Sequence, residues 1–137
     1  MIVADTGALI ALADADDRHH KQLRALFERD PRAWVLPWAI LPEVDYLVTT
    51  HLGAKAEMAF LDDLARGSYA VEWGDDADLA RAHELCKRYR SLAMGLVDGV
   101  VMAVAERLGA SAIATLDVRH FGTVAIRGAP KLYPRDL

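Results

Sequence analysis

Four acids stand where one element of the chain should end or the next begin. Asp5 follows the apolar run Ile2-Val3-Ala4, Glu43 comes directly after Pro42, Asp98 heads the apolar stretch Leu96 to Leu108, and Asp117 follows Ala112-Ile113-Ala114 after Thr115 and Leu116. Asp5 and Asp117 are thereby expected at the carboxyl ends of two buried strands, the edge of an open sheet where ligands bind. Carboxylates gathered within about 5 Å repel by roughly 3 kcal/mol per ionised pair at an effective dielectric near 20. No structural role requires that cost. A hard divalent cation such as Mg²⁺ or Mn²⁺, which prefers oxygen ligands, reverses its sign. The same cation lowers the pKa of water and polarises a phosphoryl oxygen, so the chemistry implied is metal-assisted hydrolysis of a phosphodiester.

Each acid also has a simpler reading. Asp5, before Thr6-Gly7, and Asp117, two residues after Thr115, would serve as helix caps or turn residues. Asp98 falls in the first turn of its helix, where unpaired N–H groups and the helix dipole favour a carboxylate. Glu43 and Asp45, two apart on a helix, point about 200° from each other. They flank Val44 on opposite sides, and periodicity does not choose between them.

The elements that must carry these residues alternate between short apolar runs and segments of helical period, the pattern of an α/β protein with a parallel sheet. Ile2 to Ala4 reads as a first strand, followed by a short helix from about Ala8 to Ala13 and a second from about Arg18 to Arg29, closed by Pro31. Trp34-Val35-Leu36 reads as a strand. A helix then carries Ile40, Leu41, Val44, Leu47 and Val48, with Pro42 and Glu43 in its first turn and Gly53 at its end. Another helix covers Ala54 to about Ala65, then a strand Tyr69 to Glu72, then a helix capped by Asp75 or Asp76 and running to about Arg88. Leu96 to Leu108 is helical, Ser111 to Ala114 is a strand, and Phe121, Val124 and Ile126 suggest a last short strand before an irregular tail punctuated by Pro130 and Pro134.

The 137 residues fit one domain over 1–137 without a linker, with 53% hydrophobic and 26% charged residues as in an ordinary globular protein. The lone Cys86 suits a reducing cytoplasm, and neither a signal peptide nor a membrane span is expected. A net charge of −4 excludes simple coating of nucleic acid, so a polyanionic substrate would be drawn by a local basic patch or by bound cations.

Taken in order, Ile2-Val3-Ala4-Asp5-Thr6, Glu43 early in a helix, Leu96-Val97-Asp98 opening a helix and Thr115-Leu116-Asp117 after a strand resemble the PIN-domain ribonucleases, most closely the VapC-type toxins of bacterial toxin–antitoxin pairs. The resemblance spans nearly the whole chain. It implies a three-layer α/β/α sandwich with a central parallel sheet, and catalysis by Asp5, Glu43, Asp98 and Asp117. Asp5 and Asp98 would be the principal ligands of Mg²⁺ or Mn²⁺, with Glu43, now preferred over Asp45, and Asp117 acting through bound water or a second ion. Thr6 and Thr115 would orient carboxylates. Similar proteins cleave RNA, form homodimers and are silenced by a cognate antitoxin. Many relatives have serine where this chain has Gly7.

Other features are less specific. Arg88 and Arg90, within Lys87-Arg88-Tyr89-Arg90, join charge to an aromatic ring as an RNA contact would, although cations also suit a helix end. Arg18, Lys21 and Arg24 recur at three-residue spacing, with His19 and His20 beside them, as a cationic strip for RNA phosphate would, although a solvated helix face is the preferred explanation. His51, His83 and His120 are widely separated and show no metal-ligand spacing. Trp34 and Trp38 read as core or interface residues. Asp5-Thr6-Gly7 also matches the active-site motif of aspartic proteases, but a single copy followed by helical periods would demand a dimer of the wrong architecture. A non-catalytic module for RNA or protein binding is the remaining alternative.

Overall fold

The computed structural model describes residues 1–137. Five strands, β1 (Ile2–Ala4), β2 (Trp34–Pro37), β3 (Ala70–Glu72), β4 (Ala112–Ala114) and β5 (Lys131–Tyr133), form one wholly parallel sheet in the order β3-β2-β1-β4-β5. The first three strands step outward on one side of β1, and the last two step outward on the other. The order reverses between β1 and β4, and that crevice lies at their carboxyl ends.

Seven helices cover the sheet: α1 (Thr6–Ala13), α2 (His20–Arg29), α3 (Leu41–Leu52), α4 (Ala54–Ala65), α5 (Asp76–Arg88), α6 (Leu96–Leu108) and α7 (Val118–Thr123). Right-handed crossovers put the helices of the outward and return halves on opposite faces. Accordingly α1 packs on α2 and α3, and α3 on α4, whereas α5 packs on α6. This is the three-layer α/β/α arrangement expected. No helix is long and apolar enough to cross a membrane.

Burial follows the apolar pattern. Every residue of β1, β2 and β4 is buried, as is the run Gly99 to Ala105 of α6. Trp34 is fully buried, its ring 5.5 Å from Phe27 in an edge contact, while Trp38 is half-buried against the core. Outside the core, Arg107 of α6 binds Asp78 of α5 (2.7 Å) and Glu72 of β3 (2.9 Å), and Arg81 binds Glu106 (2.8 Å). These pairs give buried Asp78 and nearly buried Glu106 a cation each.

Differences from the expected elements have local causes. α1 begins at Thr6, two residues early, because Asp5 caps it, and α2 begins at His20 because His19 N–H is held in a turn by Asp17 (2.7 Å). Asp75, not Asp76, caps α5, through a capping box with Asp78. The expected last strand through Phe121, Val124 and Ile126 is a misreading. Asp117 caps a helix there, Phe121 is buried from one of its turns, and the fifth strand is Lys131–Tyr133, in the stretch read as an irregular tail. Pro130 and Pro134 flank that edge strand rather than interrupt it, so neither removes a ladder donor.

Candidate metal centre

The pairing of β1 with β4 matches Ala4 to Ala114, so the next residues of each strand, Asp5 and Thr115, emerge side by side at the crevice. Asp5 is buried, yet both its oxygens are engaged. Oδ1 accepts from the main-chain N–H of Thr6 at 2.8 Å, and Oδ2 accepts from the Thr115 hydroxyl at 2.8 Å. The same Thr115 oxygen accepts the main-chain N–H of Asp117 at 3.0 Å, so one hydroxyl ties the first acid to the turn that carries the last. Thr6 reaches Asp5 only through its main chain, its own hydroxyl being buried without a partner. A Cβ on Gly7 would meet the Leu116 side chain at 3.7 Å, an ordinary contact, so space does not demand glycine there.

Asp98 lies in the first turn of α6 and is half-buried, and Asp117 is the N-cap of α7. Glu43 stands exposed in the first turn of α3. These segments meet electrostatically. Burial, reinforced by the charges of Asp98 and Glu43, pushes the Asp5 carboxyl up to about 6 against the opposing bonds from Thr115 and Thr6. Burial likewise raises Asp98, helped by Asp117 and Glu43 and opposed by His120. Each acid therefore lies in the field of at least one other. Asp45 does not share it; that carboxyl is raised chiefly by sharing a hydrogen bond with Glu57 of α4, which places it elsewhere.

The structure adds a residue that the sequence reading set aside. His120, one turn into α7, places Nδ1 3.0 Å from Asp98 Oδ2 and 2.9 Å from Asp117 Oδ2. Its main-chain N–H also donates to Asp117 Oδ1 at 3.0 Å. A histidine three residues after a capping aspartate was the available clue, obscured because the segment was expected to be a strand. Asp98, Asp117 and His120 form a cluster that could hold a metal ion.

The donor set fits a hard divalent cation. Unlike Asp78, which has Arg107, the buried Asp5 has no basic side chain paired with it; its partners are the Thr6 N–H and the Thr115 hydroxyl, and the charges that reach it are those of Asp98 and Glu43. The atoms that lie within 4.8 Å of one another belong to Asp98, Asp117 and His120, while Asp5 and Glu43 reach this group through their charge.

Arg88 ends α5 and Arg90 opens the following 3₁₀ turn; with Glu84, Lys87 and Ser91 they line an open hollow of about 600 Å³. Nearby on α5, Cys86 Sγ donates to Gly95 O at 3.6 Å, and burial, helped by the Asp98 charge, raises the Cys86 thiol. The Tyr89 hydroxyl accepts Ala125 N–H at 3.1 Å, which ties that ring to the segment after α7. Arg24 pairs with Glu28 at 2.7 Å on an exposed face, in keeping with a solvated helix surface. Asp5-Thr6-Gly7 opens a helix in a parallel α/β fold, which removes the protease reading.

A crevice at the reversal of a parallel sheet, walled by acids from four separate segments, is the arrangement of a PIN-type nuclease fold. The chain belongs to the PIN-domain family, whose model matches residues 2–126. It is 31% identical to Ribonuclease VapC26 of Mycobacterium tuberculosis over 123 residues, covering 90% of this chain and 91% of that protein. Its fold matches Mycobacterium tuberculosis VapC20, a sarcin-ricin loop cleaving toxin, with a TM-score of 0.80 at 21% identity over 92% of this chain and 97% of that one. It also matches VapBC2 of Rickettsia felis, solved bound to a DNA fragment from its promoter, with a TM-score of 0.69 at 15% identity over 96% and 97% of the two chains.

Proposed function

We propose that this protein is a metal-dependent endoribonuclease, the toxin of a toxin–antitoxin pair, and that residues 1–137 act as one nuclease domain in the cytoplasm. The observation that carries the reading is the Asp5 carboxylate, buried without a basic partner at the reversal point of the sheet and within the field of Asp98 and Glu43. Likeness to a ribonuclease over nine-tenths of the chain supports RNA as substrate, and likeness to a VapBC complex supports an antitoxin partner. A non-catalytic module would have no use for such a costly cluster.

In this reading Asp5 and Asp98 hold Mg²⁺ or Mn²⁺, while Glu43 and Asp117 complete the site. The bound ion supplies a more acidic water, a polarised phosphoryl oxygen and charge neutralisation at the leaving group. Thr115 and the Thr6 N–H fix both oxygens of Asp5, so the carboxylate meets its ligand already oriented. Glu43, exposed at the mouth, orients the attacking water. In-line displacement then leaves a 5′-phosphate and a 3′-hydroxyl. A homodimer is proposed, with α3 and α4 as the contact, where Tyr46, Met58 and Leu61 are exposed apolar residues.

Cleavage of RNA is expected to stop with EDTA and to return with added Mg²⁺ or Mn²⁺, with products that carry 5′-phosphate ends. Undiminished cleavage in chelator, or cyclic phosphate ends, would overturn the proposal. Arg88 and Arg90 are proposed to contact the RNA backbone. Reversing both charges is expected to weaken RNA binding and to reduce the slope of log affinity against log salt by about 1.4. An unchanged slope would remove that role.

A further inference from the structure

We infer that His120 is a positioning residue for the metal site, holding Asp98 and Asp117 in the orientation a cation requires. The inference rests on the nuclease reading above and goes beyond the four acids. Asp98 and Asp117 come from the starts of two different helices, and the only side chain that touches both is His120. Its Nδ1–H donates to Asp98 Oδ2 at 3.0 Å, and the same nitrogen lies 2.9 Å from Asp117 Oδ2, between two carboxylates that would otherwise repel. With the main-chain N–H of His120 on Asp117 Oδ1 at 3.0 Å, both oxygens of Asp117 lie against one residue. Asp98 Oδ1 has no bond to the imidazole. Across the crevice, Thr115 and the Thr6 N–H hold Asp5 in the same manner. The site thus has a clamp on each wall, and partners of ligating carboxylates govern metal affinity.

A simpler role is that His120 only stabilises α7. The two are separated by Mn²⁺ binding measured without RNA, by titration calorimetry and by electron spin resonance of the free ion. His120→Ala is expected to weaken Mn²⁺ binding by about 10- to 100-fold. His120→Asn, whose amide nitrogen replaces Nδ1, is expected to recover most of that affinity, whereas His120→Gln, which places its amide nearer Nε2, is not. Mn²⁺ bound to the native chain should show no directly coordinated nitrogen in its pulsed spectrum.

Unchanged affinity in His120→Ala, equal losses in the Asn and Gln variants, or a coordinated nitrogen would each overturn the inference. Native protein that binds no Mn²⁺, or binds it equally well in Asp98→Asn, would instead refute the underlying metal-site reading. Circular dichroism of each variant establishes that it is folded before binding is read.

Discussion

Asp5→Asn and Asp98→Asn should each lower RNA cleavage by about a thousandfold, equivalent to about 4 kcal/mol of lost transition-state stabilisation, and yet they should move stability differently. Asp5 is buried with its carboxyl raised from 3.8 to about 6. Between those two values the folded chain keeps a proton that the unfolded chain has released. Stability of the metal-free protein therefore falls as pH rises through that window and stays low above it. The full penalty is about 3 kcal/mol by the linkage relation. An asparagine carries no charge, and the Thr115 hydroxyl can accept from its amide at some loss in hydrogen bonding. Asp5→Asn should accordingly gain about 1–2 kcal/mol in EDTA at pH 8, seen as a thermal midpoint raised by roughly 5 °C, and that gain should vanish near pH 4. Asp98 is only half-buried and its burial is opposed by the bond to His120, so Asp98→Asn should leave the midpoint nearly unchanged. Cleavage surviving either substitution would remove that residue from the site. A lower midpoint in Asp5→Asn would show that the carboxylate is not under strain.

The second large effect is expected at Gly99, which follows Asp98 and faces α5. A Cβ at this position would lie 3.0 Å from the Ala82 side chain, 3.1 Å from the Ala82 carbonyl oxygen and 3.1 Å from Cys86 Sγ. One of those neighbours is backbone and cannot rotate away. Gly99→Ala sets tight contact against a helix-propensity gain of about 1 kcal/mol, and the two nearly cancel. Gly99→Leu has no such balance and must force α5 from α6, at a cost of about 3 kcal/mol and a midpoint lowered by roughly 10 °C. Because Asp98 rides on the same turn, loss of Mn²⁺ affinity should accompany the loss of stability. Denaturant and thermal unfolding of the two variants measure this; a leucine variant as stable as wild type would mean the α5–α6 contact is looser than described.

Much of the fold could be read from the chain because burial and element type coincide. Ile2-Val3-Ala4 and Ala112-Ile113-Ala114 are short apolar runs buried on both faces, and α6 carries its apolar residues at helical spacing up to Gly109. The stretch after β4 failed to yield because it is short. Phe121 and Val124 are apolar residues three apart in a segment too short for periodicity to distinguish helix from strand. Asp117 decides the matter by capping through a hydrogen bond to His120 N–H, an event of three residues. That one error also hid His120, whose relation to Asp98 depends on where α7 points. The competition between Glu43 and Asp45 had the opposite character. Local spacing left it open, family resemblance favoured Glu43, and the packing of α3 on α4 places Asp45 against Glu57 while the field of Glu43 reaches both Asp5 and Asp98.

The single hydroxyl of Thr115, which joins Asp5 to the turn bearing Asp117, has a bearing on how a cell makes this protein. Asp5 leaves the ribosome well before Asp117, and they meet only after β4 has slotted in beside β1. Until that moment a growing polypeptide carries an incomplete set of oxygens and a first strand with one neighbour missing. In the proposed reading, any hazard to the host's own RNA therefore begins only once β4 has been made and has found its place.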